Sequence, residues 1–264
     1  MKHITSRDNP TVKRLHGLAH SARDRRSHGQ TLLDGPHLVR AALDVRHPLR
    51  ELVVSDHGLT REEISLLVGR CQDVSILHLS DSLFAHVSPV DTPSGVMAVI
   101  DLPDHSSTGR AFDGSLLVLD GIQDAGNLGT ILRTAAAAGI PDVLLSAGCA
   151  QAWSPRVLRA GMGGHFCLRI HEGVDIAEAL KGYRGSVLAT GLGRGARELY
   201  DYDLRGPVAW LFGSEGGGLS TEVAALAQGM VIIPMAEGVE SLNVGAAAAI
   251  CLFEQMRQRR TPRS

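Results

Sequence analysis

From residue 115 onward the chain repeats one pattern: a short apolar run, a turn rich in glycine and polar side chains, then apolar positions at helical spacing. The runs at 115–120, 142–146, 166–170, 186–190, 207–212 and 229–233 read as strands. The segments 128–138 and 154–160, and those near Ile176, Thr221 and Val244, read as helices. Ser154-Pro155 offers one of them a cap and a first turn. Apolar strands alternating with helices predict an α/β fold with a mostly parallel sheet and helices on both faces. The first hundred residues are patterned differently. Helices are expected at 10–26, where Val12, Leu15, Leu18 and Ala19 share a face, at 36–43 after Pro36, and at 61–71. Strands are expected at 51–55, 74–79 and 95–100. Residues 102–114 have the Pro, Ser, Asp and Gly content of a linker. The expected organisation is therefore a small α/β domain at 1–101 and a larger domain at 115–264.

Three of the later strands end in turns with more polar residues than a strand–helix connection needs. One runs Asp120-Gly-Ile-Gln-Asp-Ala-Gly-Asn127-Leu-Gly129-Thr-Ile-Leu-Arg133, the second Leu211-Phe-Gly213-Ser-Glu215-Gly-Gly-Gly218-Leu-Ser220. The third spans 231–255, where Ile233-Pro234-Met235 is followed by Ser241-Leu242-Asn243 and a small-residue helix. Such turns place main-chain N–H groups and polar side chains at helix entrances along one sheet edge, where a small molecule can be held. Each residue also has a local explanation. Glu215, Ser241 and Asn243 have the side chains of ordinary helix caps, and an arginine such as Arg133 inside a helix commonly faces solvent. Capping and ligand binding are compatible, because a turn that presents donors to a ligand also has to satisfy its own helix. Gly213, Gly216, Gly217 and Gly218 are either there to permit tight turns or, being so close together, mark a backbone approached by a bulky group.

Together the three turns resemble the three motifs of the SpoU (TrmH-like) RNA 2′-O-ribose methyltransferases of the SPOUT superfamily. The motifs are N-x-G-x-x-x-R at Asn127, Gly129 and Arg133, G-x-E-x-x-G at Gly213, Glu215 and Gly218, and I-P-M…S-L-N at 233–243. The bacterial 23S rRNA and thiostrepton-resistance-type members are the most similar. The chain has Ser214 where members often carry Asn, and Gly245 where they often carry a polar residue. The resemblance implies S-adenosylmethionine as cofactor, a C-terminal trefoil knot, and an L30e-like RNA-binding domain at 1–101. It also implies a homodimer packed through the last helix, where Ala246 to Ile250, followed by Leu252 and Phe253, offer small and large apolar residues for close packing. The catalytic residues it implies are Asn127, Arg133, Glu215, Ser241 and Asn243. Thr190, Gly191, Gly213, Ile233, Met235 and Leu242 would hold the cofactor, and no metal is implied. A base-methylating relative and a non-catalytic RNA- or cofactor-binding protein are the alternatives.

Charge adds a location for the RNA. The 264 residues carry a net charge of −2, yet residues 1–50 hold ten Lys/Arg against four Asp/Glu. Within them Lys13, Arg14, Arg23, Arg25 and Arg26 form a candidate phosphate-binding patch. Cys71, Cys149, Cys167 and Cys251 are too scattered for a zinc site or a disulfide framework and are expected as buried thiols. Gly191-Leu-Gly193-Arg-Gly195 follows a strand, but it lacks the spacing and the distant acid of a dinucleotide fingerprint. No apolar run approaches the length of a membrane span and no signal-peptide core opens the chain, so a cytoplasmic protein is expected.

Overall fold

A computed structural model describes residues 1–103, 111–191 and 195–260; Gly193 and most of the expected linker lie outside the described residues. The chain falls into two units, Met1–Asp104 with Trp153–Phe166, and His105–Ala152 with Cys167–Ser264.

The first unit contains β1 (Lys2–Ile4), α1 (Pro10–His20), α2 (Ala22–His28), β2 (Gln30–Asp34), α3 (Pro36–Asp44), β3 (Glu51–Ser55), α4 (Asp56–Leu59), α5 (Glu62–Arg70), β4 (Ser75–Leu79), α6 (Asp81–Val87) and β5 (Val96–Asp101). Its sheet has the order β1-β4-β3-β5-β2, with β5 antiparallel to both neighbours and the other pairs parallel. The expected helix at 10–26 is two helices. Ser21 takes an extended conformation (φ −118°, ψ 118°), and its hydroxyl accepts from the Asp24 N–H at 3.2 Å, which starts α2 afresh. Gly17 permits the fold-back: a Cβ there would stand 2.5 Å from Asp24 Oδ2. Val12, Leu15 and Leu18 pack with Leu32, Val53, Phe84 and Met97 in one buried cluster.

Trp153–Phe166 includes α7 (Pro155–Gly161), whose Ser154 cap accepts from the Val157 N–H at 3.4 Å. The Thr31 hydroxyl on β2 donates to the Trp153 carbonyl at 2.6 Å. At the end of β2 lies Asp34, 9% exposed, whose Oδ1 is buried without a hydrogen-bond partner among the described residues. Burial pushes its carboxyl up to about 6 from an ordinary 3.8, and Arg159, 3.9 Å away, only partly offsets this. A folded value above the unfolded one means the folded state binds this proton more tightly. The ionised side chain therefore costs stability above about pH 6, and the cost fades as pH falls from 6 towards 4. Asp34→Asn is expected to stabilise the protein by roughly 1–3 kcal/mol at pH 8. Thermal melts across pH should show the gain shrinking towards zero below about pH 4.

The second unit contains β6 (Leu116–Asp120), α8 (Ala125–Ala138), β7 (Asp142–Leu145), β8 (Arg169–His171), α9 (Ile176–Ala179), β9 (Ser186–Thr190), β10 (Arg197–Glu198), β11 (Val208–Gly213), α10 (Thr221–Ala224), β12 (Gly229–Ile232) and α11 (Val244–Arg260). Its seven strands lie in the order β10-β12-β9-β11-β6-β7-β8, and every pairing is parallel. The expected strand at 166–170 is shorter and later, because Gly164–Cys167 forms a 3-10 turn before β8. That turn also leaves Cys167 exposed. Cys149 is half-buried, and only Cys71 and Cys251 are the buried thiols expected of all four.

Helix α11 is anchored to its own chain by buried amides as well as by apolar packing. Gln255 Oε1 accepts from Trp210 Nε1 at 2.9 Å while its Nε2 donates to Ser115 Oγ at 2.9 Å, and Gln258 Oε1 accepts from the Leu204 N–H at 2.9 Å. Leu252, expected at an interface between copies, is fully buried inside this unit, whereas Phe253 is 46% exposed.

Candidate active site

The carboxyl ends of β9, β11 and β12 and the entrance to α11 enclose a cavity of about 530 Å³. Parallel sheets commonly bind ligands at this edge. Thr190, Gly191, Gly213, Ile233, Met235 and Leu242, the six residues expected to hold a cofactor, all line it, as do Glu215, Ser241 and Asn243.

Asn127 does not line the cavity itself but bonds to two residues that do, because α8 starts earlier than its apolar spacing predicts. Asp124 is the cap, its Oδ1 accepting from the Asn127 N–H at 2.7 Å, which puts Asn127 in the first turn. Asn243 caps α11 in the same manner, its Oδ1 accepting from the N–H groups of Gly245 at 2.9 Å and Ala246 at 3.3 Å. Its Nδ2 then donates to Asn127 Oδ1 at 3.0 Å, and Asn127 Nδ2 donates to Glu215 Oε1. The polarity of this chain is fixed at both ends. An ionised carboxylate only accepts, so Asn127 must turn its NH2 to Glu215, and the helix N–H groups demand the carbonyl of Asn243. One residue from each of the three motifs is thus held in a single relay. Gly245 leaves it room, since a Cβ there would lie 3.1 Å from Asn243 Oδ1 and 3.5 Å from the Thr130 methyl.

Arg133 is not brought to this rim. It is exposed on α8, and no hydrogen bond or ion pair holds it among the described residues.

The glycine cluster closes a tight turn at the edge of the cavity. Ser214 and Gly218 exchange main-chain hydrogen bonds of 3.0 and 2.9 Å, closing a tight turn. A Cβ at Gly213 would fall 2.1 Å from the Gly218 carbonyl carbon, and Gly218 itself has φ +66°. The chain's own return leaves no room for a side chain at Gly213, and the positive φ disfavours one at Gly218.

Two acids escaped the sequence reading. Glu240 lines the cavity; its position directly before the Ser-Leu-Asn motif was the available signal. Asp120, at the end of β6, accepts from the Ser220 N–H at 2.8 Å and so ties the first turn to the segment after the second. Burial pushes its carboxyl up, but hydrogen bonds from Ser220 and Ser146 outweigh this and hold it below the usual range.

Of the five basic residues expected to meet RNA, three remain available in the first unit. Lys13, Arg23 and Arg26 are exposed, although Lys13 also lies 3.1 Å from Asp8. Arg14 is half-buried, donating to Gln30 at 2.8 Å and paired with Glu51. Arg25 is buried and donates to the Leu18 carbonyl at 2.9 Å.

With that geometry in place, comparison with known proteins is decisive. The model of the SpoU rRNA methylase family matches residues 114–253. The chain belongs to this family. Residues 9–98 match an MRM3-like substrate binding domain. A tRNA/rRNA methyltransferase of Synechocystis, itself uncharacterized, is 35% identical over 97% of this chain and 93% of its own length. The 23S rRNA (guanosine(2553)-2′-O)-methyltransferase of Bacillus subtilis is 32% identical over 96% of this chain and 98% of its own. Among solved structures, the AdoMet-bound rRNA methyltransferase from Sinorhizobium meliloti superposes with a TM-score of 0.83 at 29% identity, covering 98% of this chain and 99% of its own.

Proposed function

We propose that this SpoU-family protein transfers a methyl group from S-adenosylmethionine to a ribose 2′-hydroxyl of ribosomal RNA. The observation that carries the reading is the cavity whose lining residues Glu215 and Asn243 are joined through Asn127 in one oriented relay. The cavity suits the cofactor on its own terms. Its volume lies in the range of small-molecule sites, and Ile233, Met235 and Leu242 offer apolar walls for an adenine. Among the described residues Glu215 and Glu240 are the charged ones that line it, which complements a sulfonium cation. When bound there, the cofactor supplies an already activated methyl group. The protein's task is then to position the hydroxyl in line and stabilise the charge that develops on its oxygen.

The relay fits that task. Glu215 and Asn243 hold the Asn127 amide in one orientation, and Ser241 adds a hydroxyl to the same rim. Arg133 is proposed to complete the site of a second copy. Its exposed helix face also carries Gly126, Thr130 and Ala137, and α11 exposes Ala246 and Phe253, small and aromatic surface that suits packing between copies. The C-terminal trefoil knot belongs to the same proposal.

The two units would divide the work, the first recognising RNA and the second transferring the methyl group. Replacing Lys13, Arg23 and Arg26 together with glutamine is expected to weaken RNA binding and reduce the slope of log affinity against log salt by about 2–3, with cofactor affinity unchanged. Arg25→Ala should instead lower the melting temperature, because that guanidinium is spent on the fold. Filter binding at several salt concentrations separates the two effects. An unchanged slope in the triple variant would refute the patch.

Mapping 2′-O-methyl nucleotides in ribosomal RNA from cells with and without the gene tests the function itself. A single ribose methyl that vanishes with the gene is the expected result. A lost base methyl, or no difference, overturns the reading.

A further inference from the structure

We propose that His3, Asp56 and His78, on the first unit, form a binding site for one divalent transition-metal ion of the zinc class. Each of the three offers a ligand atom, and these atoms all lie within 4.8 Å of one another. The arrangement is built into the backbone. His3 on β1 and His78 on β4 are register partners in a parallel ladder, so their side chains leave the same face of the sheet side by side. Asp56 opens α4 directly after β3, the neighbour of β4 on its other side, and its Oδ1 lies 2.7 Å from His78 Nε2.

The spacing of the two imidazoles fits a shared ion. A ring nitrogen about 2.1 Å from a metal puts the ring centre roughly 3.2 Å from it, so two rings on one ion at right to tetrahedral angles have centres about 4.5–5.2 Å apart. The centroids of His3 and His78 are 4.6 Å apart with their planes at 28°. Asp56 pairs with His78, and the second ring lies beside that pair, so all three potential ligands sit at one place on the sheet. Two nitrogen donors and one carboxylate are a borderline set that suits Zn²⁺, Ni²⁺ or Cu²⁺ better than Mg²⁺ or Ca²⁺. A further carboxylate lies on the same unit: Asp81 accepts from the His57 N–H, next to Asp56, at 2.9 Å. Water would complete the coordination.

Such an ion would fasten the sheet edge. β1 is only three residues long and pairs with β4 alone, so a bond from His3 through a metal to His78 and Asp56 clamps it to the two strands behind it.

The test uses the full-length chain without an affinity tag, in a Cys167→Ser background that removes the exposed thiol as a competing ligand. Calorimetric titration with ZnCl₂ should show one ion per chain, and the melting temperature should rise with zinc. His3→Ala and Asp56→Asn should each weaken zinc binding at least about tenfold and abolish the thermal shift. His3 is exposed and its ladder bonds are main-chain, so that variant tests the site even if His78→Ala fails to fold. Absence of binding at 100-fold excess zinc (about 100 molar equivalents), or binding that persists unchanged in His3→Ala, overturns the proposal and leaves an ordinary His78–Asp56 ion pair.

Discussion

Arg133→Lys is expected to lower methyl transfer at saturating RNA by at least about a hundredfold, the scale of one lost transition-state donor, while cofactor affinity stays nearly unchanged. The substitution keeps the charge and removes the planar fork that can hold a phosphate and a developing alkoxide at once. Guanidinium groups are protonated at any ordinary pH, so the proposed role is hydrogen bonding and electrostatic stabilisation rather than proton abstraction. The geometry sharpens this. Arg133 lies six residues beyond Asn127, roughly 9 Å along the axis of α8, and has an exposed side chain away from the cavity rim. In the proposed dimer it reaches the site of the partner, so light scattering belongs in the same experiment. A strictly monomeric mass at micromolar concentration removes that route. Near-normal turnover of the lysine variant makes Arg133 a bystander.

The sequence could reveal the second unit more fully than the first, and the reason is physical. In an all-parallel sheet covered on both faces the inner strands are dense apolar runs, so β6, β9, β11 and β12 stand out from their surroundings, whereas the exposed edge pair Arg197-Glu198 of β10 does not. In the first unit β1 has only three residues, and Gln30-Thr-Leu-Leu-Asp34 has no clean alternation, so neither stands out as a strand. The break at Ser21 was hidden for another reason. Helical spacing survives across it, and only the fold-back of Asp24 onto Gly17 explains the stop. Within the cavity, residues contributed through strand ends were legible because motif and local structure coincide. Long-range pairings were not: nothing in the spelling of α11 announces that Gln255 is spent on Trp210 and Ser115, or that Arg14 is spent on Glu51. Charge composition counts arginines but does not say which of them already have partners.

Asn127→Asp should be as damaging at pH 8 as its shape is conservative. The side chain keeps its volume and its acceptor towards Asn243 Nδ2, but the NH2 that faces Glu215 becomes an oxygen. Two carboxylates in that contact repel unless one takes a proton, so the relay either opens or the pair binds a proton that the parent protein does not. Methyl transfer at pH 8 is expected to fall by about a hundredfold, comparable to loss of a positioned hydrogen bond in an active site. The pH dependence should distinguish the variant. The protonated pair restores a donor between the two side chains, so its activity relative to the parent rises as pH falls through the raised value of the pair. The double variant Asn127→Asp/Glu215→Gln rebuilds the bond with its polarity reversed, Gln donating to Asp. It should recover most of the lost rate and lose the anomalous pH dependence, the signature of two coupled neighbours rather than two independent sites. If the double variant is as impaired as the single one, or if Asn127→Asp turns over normally at pH 8, the hydrogen-bonded chain from Glu215 to the α11 cap has no part in catalysis.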